Sequence, residues 1–157
     1  MELTFVWVGK TKNKHWAALE QDYLARIAHF ARSQIEVVRE MKGTELSGMR
    51  VKAQDQAAEA VLKRIRPDAY VAVLDERGAV LSSREFATLI AQRHNEGIKE
   101  MAFIIGGASG VPAAVRQRAD FTLSLSPMTF PHEMARVVLL EQVYRAFAIL
   151  HNLPYPR

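Results

Sequence analysis

The chain's 157 residues are 49% hydrophobic, 24% charged and free of cysteine, which excludes disorder, disulfides, thiolate metal sites and cysteine nucleophiles and suits a single domain over residues 1–157. A net charge of +4 leans toward an anionic partner, although 17 acidic residues dilute that signal. The N-terminus lacks a leader-like profile and no apolar run approaches the roughly 20 residues that span a bilayer, so a soluble, cytoplasmic protein without a membrane partner is expected.

The first apolar run, Leu3 to Val8 with Gly9 after it, is β-branched and aromatic and predicts a buried strand. Trp16, Leu19, Tyr23, Ile27 and Phe30 recur at helical spacing and predict a helix over 14–31. Ile35, Val37 and Val38 make a short second strand. Residues 42–50 are polar, carry two glycines and read as a mobile loop. A second helix follows, with Val51, Ala58, Val61, Leu62 and Ile65 on one side and Pro67 at its end.

The third strand covers 70–74. Ser82 and Glu85 form a capping box for the next helix, which Gly97 closes in a left-handed conformation. The fourth strand, 101–105, runs into Gly106-Gly107-Ala108-Ser109-Gly110. Pro112 suits the first turn of a short helix ending near Ala119, and 121–125 is a fifth strand. A long helix then runs from about His132 to Leu150. Five strands alternating with helices predict an α/β fold with an open parallel sheet, because each helix carries the chain back to begin the next strand. Ligands in such sheets bind at the carboxyl ends of strands.

That rule selects three places: the end of the third strand at Leu74, the glycine loop at Gly106, and the loop Leu125-Ser126-Pro127-Met128-Thr129-Phe130. Glycine lets backbone approach a ligand, but GGxxG after a fourth strand is neither a dinucleotide fingerprint nor a Walker cradle, and a tight turn explains it equally. The proline-bracketed loop offers an apolar wall with backbone groups suited to a flat ring. His132 serves as a base, a phosphate donor or a helix cap. The five histidines show no metal-ligand spacing, so no metal is expected. The last helix is apolar beyond a single stripe, so it is either buried or a subunit contact. Glu141 and Arg145 are spaced to pair, and Arg136 lies where the helix dipole disfavours a cation, which hints at a partner. Lys10, Lys12 and Lys14, with Arg116 and Arg118, follow strand ends and suit RNA phosphates; Lys63, Arg64 and Arg66 read as a solvated face.

The order Leu-Asp-Glu-Arg-Gly, then Phe-Ile-Ile-Gly-Gly-Ala-Ser-Gly, then Leu-Ser-Pro-Met-Thr-Phe-Pro-His-Glu-Met-Ala-Arg-Val-Val-Leu-Leu-Glu-Gln-Val-Tyr-Arg-Ala-Phe resembles the bacterial large-subunit ribosomal RNA methyltransferase H family, of the SPOUT class. The likeness runs from Val6 to Tyr155. It implies a trefoil knot in the C-terminal half and a homodimer whose interface builds the sites. It also implies methyl transfer from S-adenosyl-L-methionine to N3 of a pseudouridine in 23S rRNA on the assembled ribosome. Cofactor contacts carry over to Leu74, Gly106, Leu125, Ser126, Pro127, Met128, Thr129 and Phe130. Many members end Pro-Tyr-His before a basic residue; here Pro156 replaces that histidine, leaving Tyr155 and Arg157 as candidates to position substrate.

The imide N3–H is largely protonated near neutral pH, so a base or an anion-favouring environment helps transfer. His132 is a candidate base, and Arg136 or Arg157 candidate anion stabilisers. Gly106→Val is expected to set a branched side chain against the adenosine while the dimer stays folded. Two other functions fit the same residues: a knotted tRNA methyltransferase, or a non-catalytic ribosome-binding factor that kept the fold.

Overall fold

The apolar runs form β1 (Glu2–Val8), β2 (Ser33–Val38), β3 (Tyr70–Val80), β4 (Glu100–Ile105) and β5 (Phe121–Ser124). Between and after them lie α1 (Lys14–Ile27), α2 (Ser47–Leu62), α3 (Ser83–Asn95), α4 (Ala113–Arg118) and α5 (His132–Leu150). These elements are those of a computed structural model that describes residues 1–41 and 47–155. The five strands make one sheet in the order β2-β1-β4-β3-β5, and every pairing is parallel. The α/β architecture expected from the alternation is therefore the one observed.

Both faces of the sheet are covered, which is why its central strands are apolar at successive positions. Leu3, Phe5, Trp7, Met101, Phe103 and Ile105 point to one side, where they pack with Phe86 and Ile90 of α3 and Leu139, Leu140 and Val143 of α5. Val6, Val8, Ala102, Ile104, Val71 and Val73 point to the other, against Ala58 and Val61 of α2 and Val115 of α4. The period of two survives inside an unbroken hydrophobic run because each residue faces a different core. Far from the strand carboxyl ends, buried Glu100 accepts from the Thr4 hydroxyl and from the Arg66 amide at 2.7 Å, so this acid ties β1 and β4 to the turn before β3.

Local signals account for several element ends. The Asn13 side chain accepts from the amide of His15 at 2.9 Å and starts α1. Ser82 and Glu85 form the reciprocal capping box of α3, and Gly97 adopts φ +82°.

Besides the end of α2, which falls at Leu62 rather than near Pro67, three boundaries differ from the sequence reading. Helix α1 stops at Ile27 rather than residue 31, yet Phe30 keeps its core contact from a turn, stacking on Phe147 at 5.4 Å. The helical spacing of Phe30 thus reflects its packing rather than a further turn of α-helix. Residues 47–50 of the expected loop are the first turn of α2, while 42–46 lie outside the described residues, as do Pro156 and Arg157.

The third difference bears on the site. Strand β3 continues past Leu74 to Val80, and both Leu74 and Ala79 pair with Leu123 of β5. Residues 75–78 therefore stand out between two pairings to one residue, as a bulge that turns the strand end toward the loops beyond it.

Candidate functional site

Strands β4, β3 and β5 are consecutive in the sheet, so their carboxyl ends meet. There they enclose a cleft of about 430 Å³, within the range of small-molecule sites. Leu74 supplies the wall from β3, Gly106 from the glycine loop, and Leu125, Ser126, Met128, Thr129 and Phe130 the wall after β5, with His132 from the start of α5. Pro127, in the same loop, is exposed and does not line the cleft.

The loops are held by their own hydrogen bonds. The Ser124 hydroxyl donates to the Ser126 carbonyl at 2.9 Å, and the Ser126 hydroxyl accepts from the Met128 amide at 2.9 Å. Thr129 donates to the Glu76 carboxylate, tying this loop to the β3 bulge. In the glycine loop the Gly110 amide donates to the Gly107 carbonyl at 3.0 Å, and Gly110 takes φ +76°. Glu40, beyond β2, accepts from the Ala108 amide at 2.9 Å and so braces the loop from the far side of β1.

A Cβ at Gly106 would lie 2.5 Å from the Gly110 carbonyl oxygen and 2.7 Å from the Val111 amide nitrogen. This corrects the reading of Gly106→Val, because the first collision is with the loop's own backbone and not with a ligand. At Gly78 a Cβ would lie 2.6 Å from the Thr122 carbonyl oxygen, so glycine is what lets the bulge close onto β5.

Asp75, in the Leu-Asp-Glu-Arg-Gly stretch, lines the cleft together with Glu76, Arg77 and Arg116. Its carboxylate receives the Arg77 guanidinium at 3.2 Å, the Arg77 amide at 2.9 Å and the Arg116 guanidinium. Hydrogen bonds from Arg77, and then from Arg116, hold this carboxyl well below the usual range despite its burial. Arg116 also donates to the Val111 carbonyl at 3.1 Å. Arg118 is bound to Asp120 at 3.0 Å and to the Ala69 carbonyl at 2.7 Å. Both arginines are thus engaged in ion pairs within the fold while staying partly exposed, and Arg116 lines the cleft. Lys63, Arg64 and Arg66 pair with Glu59, Glu36 and Asp68 on an exposed face, as expected.

The remaining candidates separate. His132 lines the cleft and does not cap α5, whose N-cap is Pro131 without a side-chain bond. Arg136 is fully buried, and the structure does not bring it to the cleft surface. Its guanidinium donates to Thr11 Oγ1 at 2.9 Å and to the Val8 carbonyl at 3.1 Å, 5.6 Å from the Trp7 ring centroid. Burial lowers the Arg136 pKa and nearby Glu20, Glu133 and Glu40 offset this in part, so the partner hinted at by its position is internal. Glu133, on the same helical turn, accepts from the amides of Lys12 and Asn13. Tyr155 lies elsewhere, in a second cavity with Ser83, Gln142 and Arg145. There it meets the Tyr144 ring edge-on at 4.8 Å and the Arg145 guanidinium at 4.6 Å, and burial raises its hydroxyl pKa. Glu141 and Arg145 pair at 2.5 Å as their spacing predicts. Arg157 lies outside the described residues.

Among the described residues, no three His, Asp or Glu side chains cluster to hold a metal, and no helix is long and apolar enough to cross a membrane.

A family model described as "Predicted SPOUT methyltransferase" matches residues 1–156. The chain is 41% identical over 157 residues to a protein of Carboxydothermus hydrogenoformans, covering 99% of both, and 41% identical over 155 residues to one of Geobacter sulfurreducens, also covering 99% of both. Both relatives bear the name "Ribosomal RNA large subunit methyltransferase H". Among solved structures, a putative methylase family protein from Neisseria gonorrhoeae aligns with a TM-score of 0.53 at 11% identity, covering 99% of this chain and 94% of that one. A probable methylase family protein from Haemophilus influenzae aligns with a TM-score of 0.52 at 13% identity, covering 99% of this chain and 71% of that one.

Proposed function

Because the chain belongs to the SPOUT methyltransferase family, we propose that it methylates large-subunit ribosomal RNA, using S-adenosyl-L-methionine to modify N3 of a pseudouridine in 23S rRNA on the assembled ribosome. The single observation that carries this reading is the convergence of Leu74, Gly106 and the loop from Leu125 to Phe130 on one cleft. The proposal includes residues 1–157 as one domain, a trefoil threading of the C-terminal half, a homodimer and a cytoplasmic site of action.

The residues present suit an adenosine-bearing ligand. Gly106, with no Cβ, brings backbone to the cleft, while Leu74, Leu125 and Phe130 offer apolar walls to a flat ring. When bound, the sulfonium supplies an electrophilic methyl group, so the protein's task is alignment rather than activation. Thr129, tied to Glu76, fixes the loop wall, and the Asp75–Arg77–Arg116 cluster fixes the opposite one. His132, at the cleft and not engaged as a helix cap, is the residue we assign to receive or redirect the imide proton. Arg136 acts on this chemistry indirectly, by locking the start of α5 to the end of β1.

Calorimetry with S-adenosyl-L-methionine and transfer of tritiated methyl to intact ribosomes, free rRNA and tRNA test the proposal. Binding together with label in ribosomes alone is the expected result. Label in tRNA alone overturns the substrate, and absence of binding removes the enzyme in favour of a ribosome-binding factor.

A further inference from the structure

About half of the basic side chains of the described residues sit in ion pairs with an acid. Arg26, Lys63, Arg64, Arg66, Arg77, Arg93, Arg116, Arg118 and Arg145 all sit in ion pairs. Lys10, Lys12 and Lys14 are exposed and among the described residues none joins an ion pair; Arg32, Arg39, Lys52, Arg84 and Lys99 share this but are scattered, whereas these three cluster. They alternate within residues 10–14, which lead from the end of β1 into the first residue of α1, and the first turn of α1 contains no acid. Lys14 is the first residue of that 14-residue helix, where the aligned peptide dipoles already present positive charge. Cations gathered at a positive helix end repel one another and the dipole, an arrangement that an incoming anion relieves.

The loop is also fixed, and fixed beside the cleft. The Gly9 amide donates to the Val38 carbonyl at 2.7 Å, and Asn13 caps α1. Glu133 accepts from the Lys12 and Asn13 amides, and it directly follows His132, which lines the cleft. From below, buried Arg136 holds Thr11 Oγ1 and the Val8 carbonyl, and Thr11 donates to buried Glu20 at 2.6 Å. The acids near the loop are engaged by other groups, Glu133 by the Lys12 and Asn13 amides, Glu20 by Thr11 and Glu40, beside Gly9, by the Ala108 amide, while the three lysines are exposed. Rigid backbone with free cations is what recognition of a phosphodiester chain requires, since the charge is positioned before binding.

We propose that the loop carrying Lys10, Lys12 and Lys14 is a preset edge of the active-site cleft that grips the RNA backbone next to the target nucleotide. This rests on the reading of the protein as an RNA methyltransferase. The loop's role is to position substrate; it makes no contribution to cofactor binding.

The test compares wild type with K10Q/K12Q/K14Q and with the control K99Q, whose lysine is exposed at the opposite end of the sheet, just before β4. Affinity for S-adenosyl-L-methionine is measured by calorimetry, and kcat/KM for methyl transfer to 70S ribosomes is measured across a KCl series. In the triple variant the expected results are cofactor affinity within twofold of wild type, a KM for ribosomes raised about tenfold, and a plot of log kcat/KM against log salt shallower by about 2, from roughly 0.7–0.9 per lost phosphate contact. K99Q leaves all three unchanged. An unchanged salt slope in the triple variant overturns the inference while the function stands. A parallel loss of cofactor affinity also overturns it, because the loop would then be structural. A wild-type protein that methylates no RNA overturns the functional reading, and the inference with it.

Discussion

Gly106 and Asp75 are the residues through which the cleft keeps its shape, and neither acts as motif logic suggests. Gly106 was singled out because glycine admits a ligand, yet its Cβ would strike the Gly110 carbonyl and the Val111 amide, both backbone. Gly106→Ala must therefore shift the whole 106–111 loop, and we expect cofactor affinity to fall by about tenfold or more, read by calorimetry, with secondary structure intact by circular dichroism. Unaltered affinity would show that the ligand does not depend on this loop. Asp75 is lodged between Arg77 and Arg116, one of which is largely exposed, so Asp75→Asn is expected to cost only about 1 kcal/mol at pH 7. The sign of its pH dependence follows from the lowered carboxyl. A group below its ordinary value of 3.8 stabilises the fold fully above that value and loses the contribution as pH falls below it. Melting curves of wild type and Asp75→Asn should thus differ at pH 7 and draw together below pH 3.8; a gap that persists in acid would mean the pair is not the source.

Among the elements, β3 departs furthest from its sequence signal. Its apolar run ends at Leu74, and Asp75-Glu76-Arg77-Gly78 has the composition of a turn, but the strand resumes at Ala79 against the same Leu123. Gly78→Ala should push the bulge off the Thr122 carbonyl, lowering cofactor affinity several-fold while the fold survives. Calorimetry together with a thermal melt separates this from global unfolding, and full affinity in the variant would remove the bulge from the site. The sequence made the capping box at Ser82 and the left-handed Gly97 visible because each depends on residues a few positions apart. It also pointed to the three strand ends, since a parallel sheet places ligands there whatever its strand order. What it could not reveal were contacts made across the sheet: Glu40 on the Ala108 amide, Arg116 on Asp75, and Arg136 on Val8 and Thr11. Each joins residues far apart in sequence whose neighbours carry no periodic mark. Helix α5 shows the same limit. Its apolar excess left burial and subunit contact open, and packing settles much of it inward, with Val137, Leu139, Leu140, Val143, Ala146 and Phe147 buried in the chain's own core.

At the scale of the whole molecule the open relation is between the two cavities. Seven of the eight residues assigned to the cofactor, all but Pro127, line one cleft, whereas Tyr155, assigned to substrate, lines another with Arg145 and Ser83. If the proposed homodimer forms, a tail that does not line its own cleft is expected to reach its partner's, and exposed Leu150 and Leu153 near the end of α5 offer apolar surface for such an approach. This has a consequence that mixing can test. Gly106→Ala weakens a cleft, and Tyr155→Ala disables a tail; with cofactor held well below the dissociation constant of Gly106→Ala, each homodimer should lose nearly all methyl transfer to ribosomes. When the two are unfolded together and refolded, half the dimers are mixed. If tails cross, each mixed dimer joins one intact cleft to one intact tail, so activity returns to about a quarter of wild type, one working site in half the molecules. If each tail serves its own subunit, no mixed dimer contains a complete site and the refolded mixture stays as inactive as its parents. Sedimentation of the wild type at twice the 17.7 kDa chain mass is the accompanying expectation, and a monomer at micromolar concentration would remove the crossed-tail arrangement altogether.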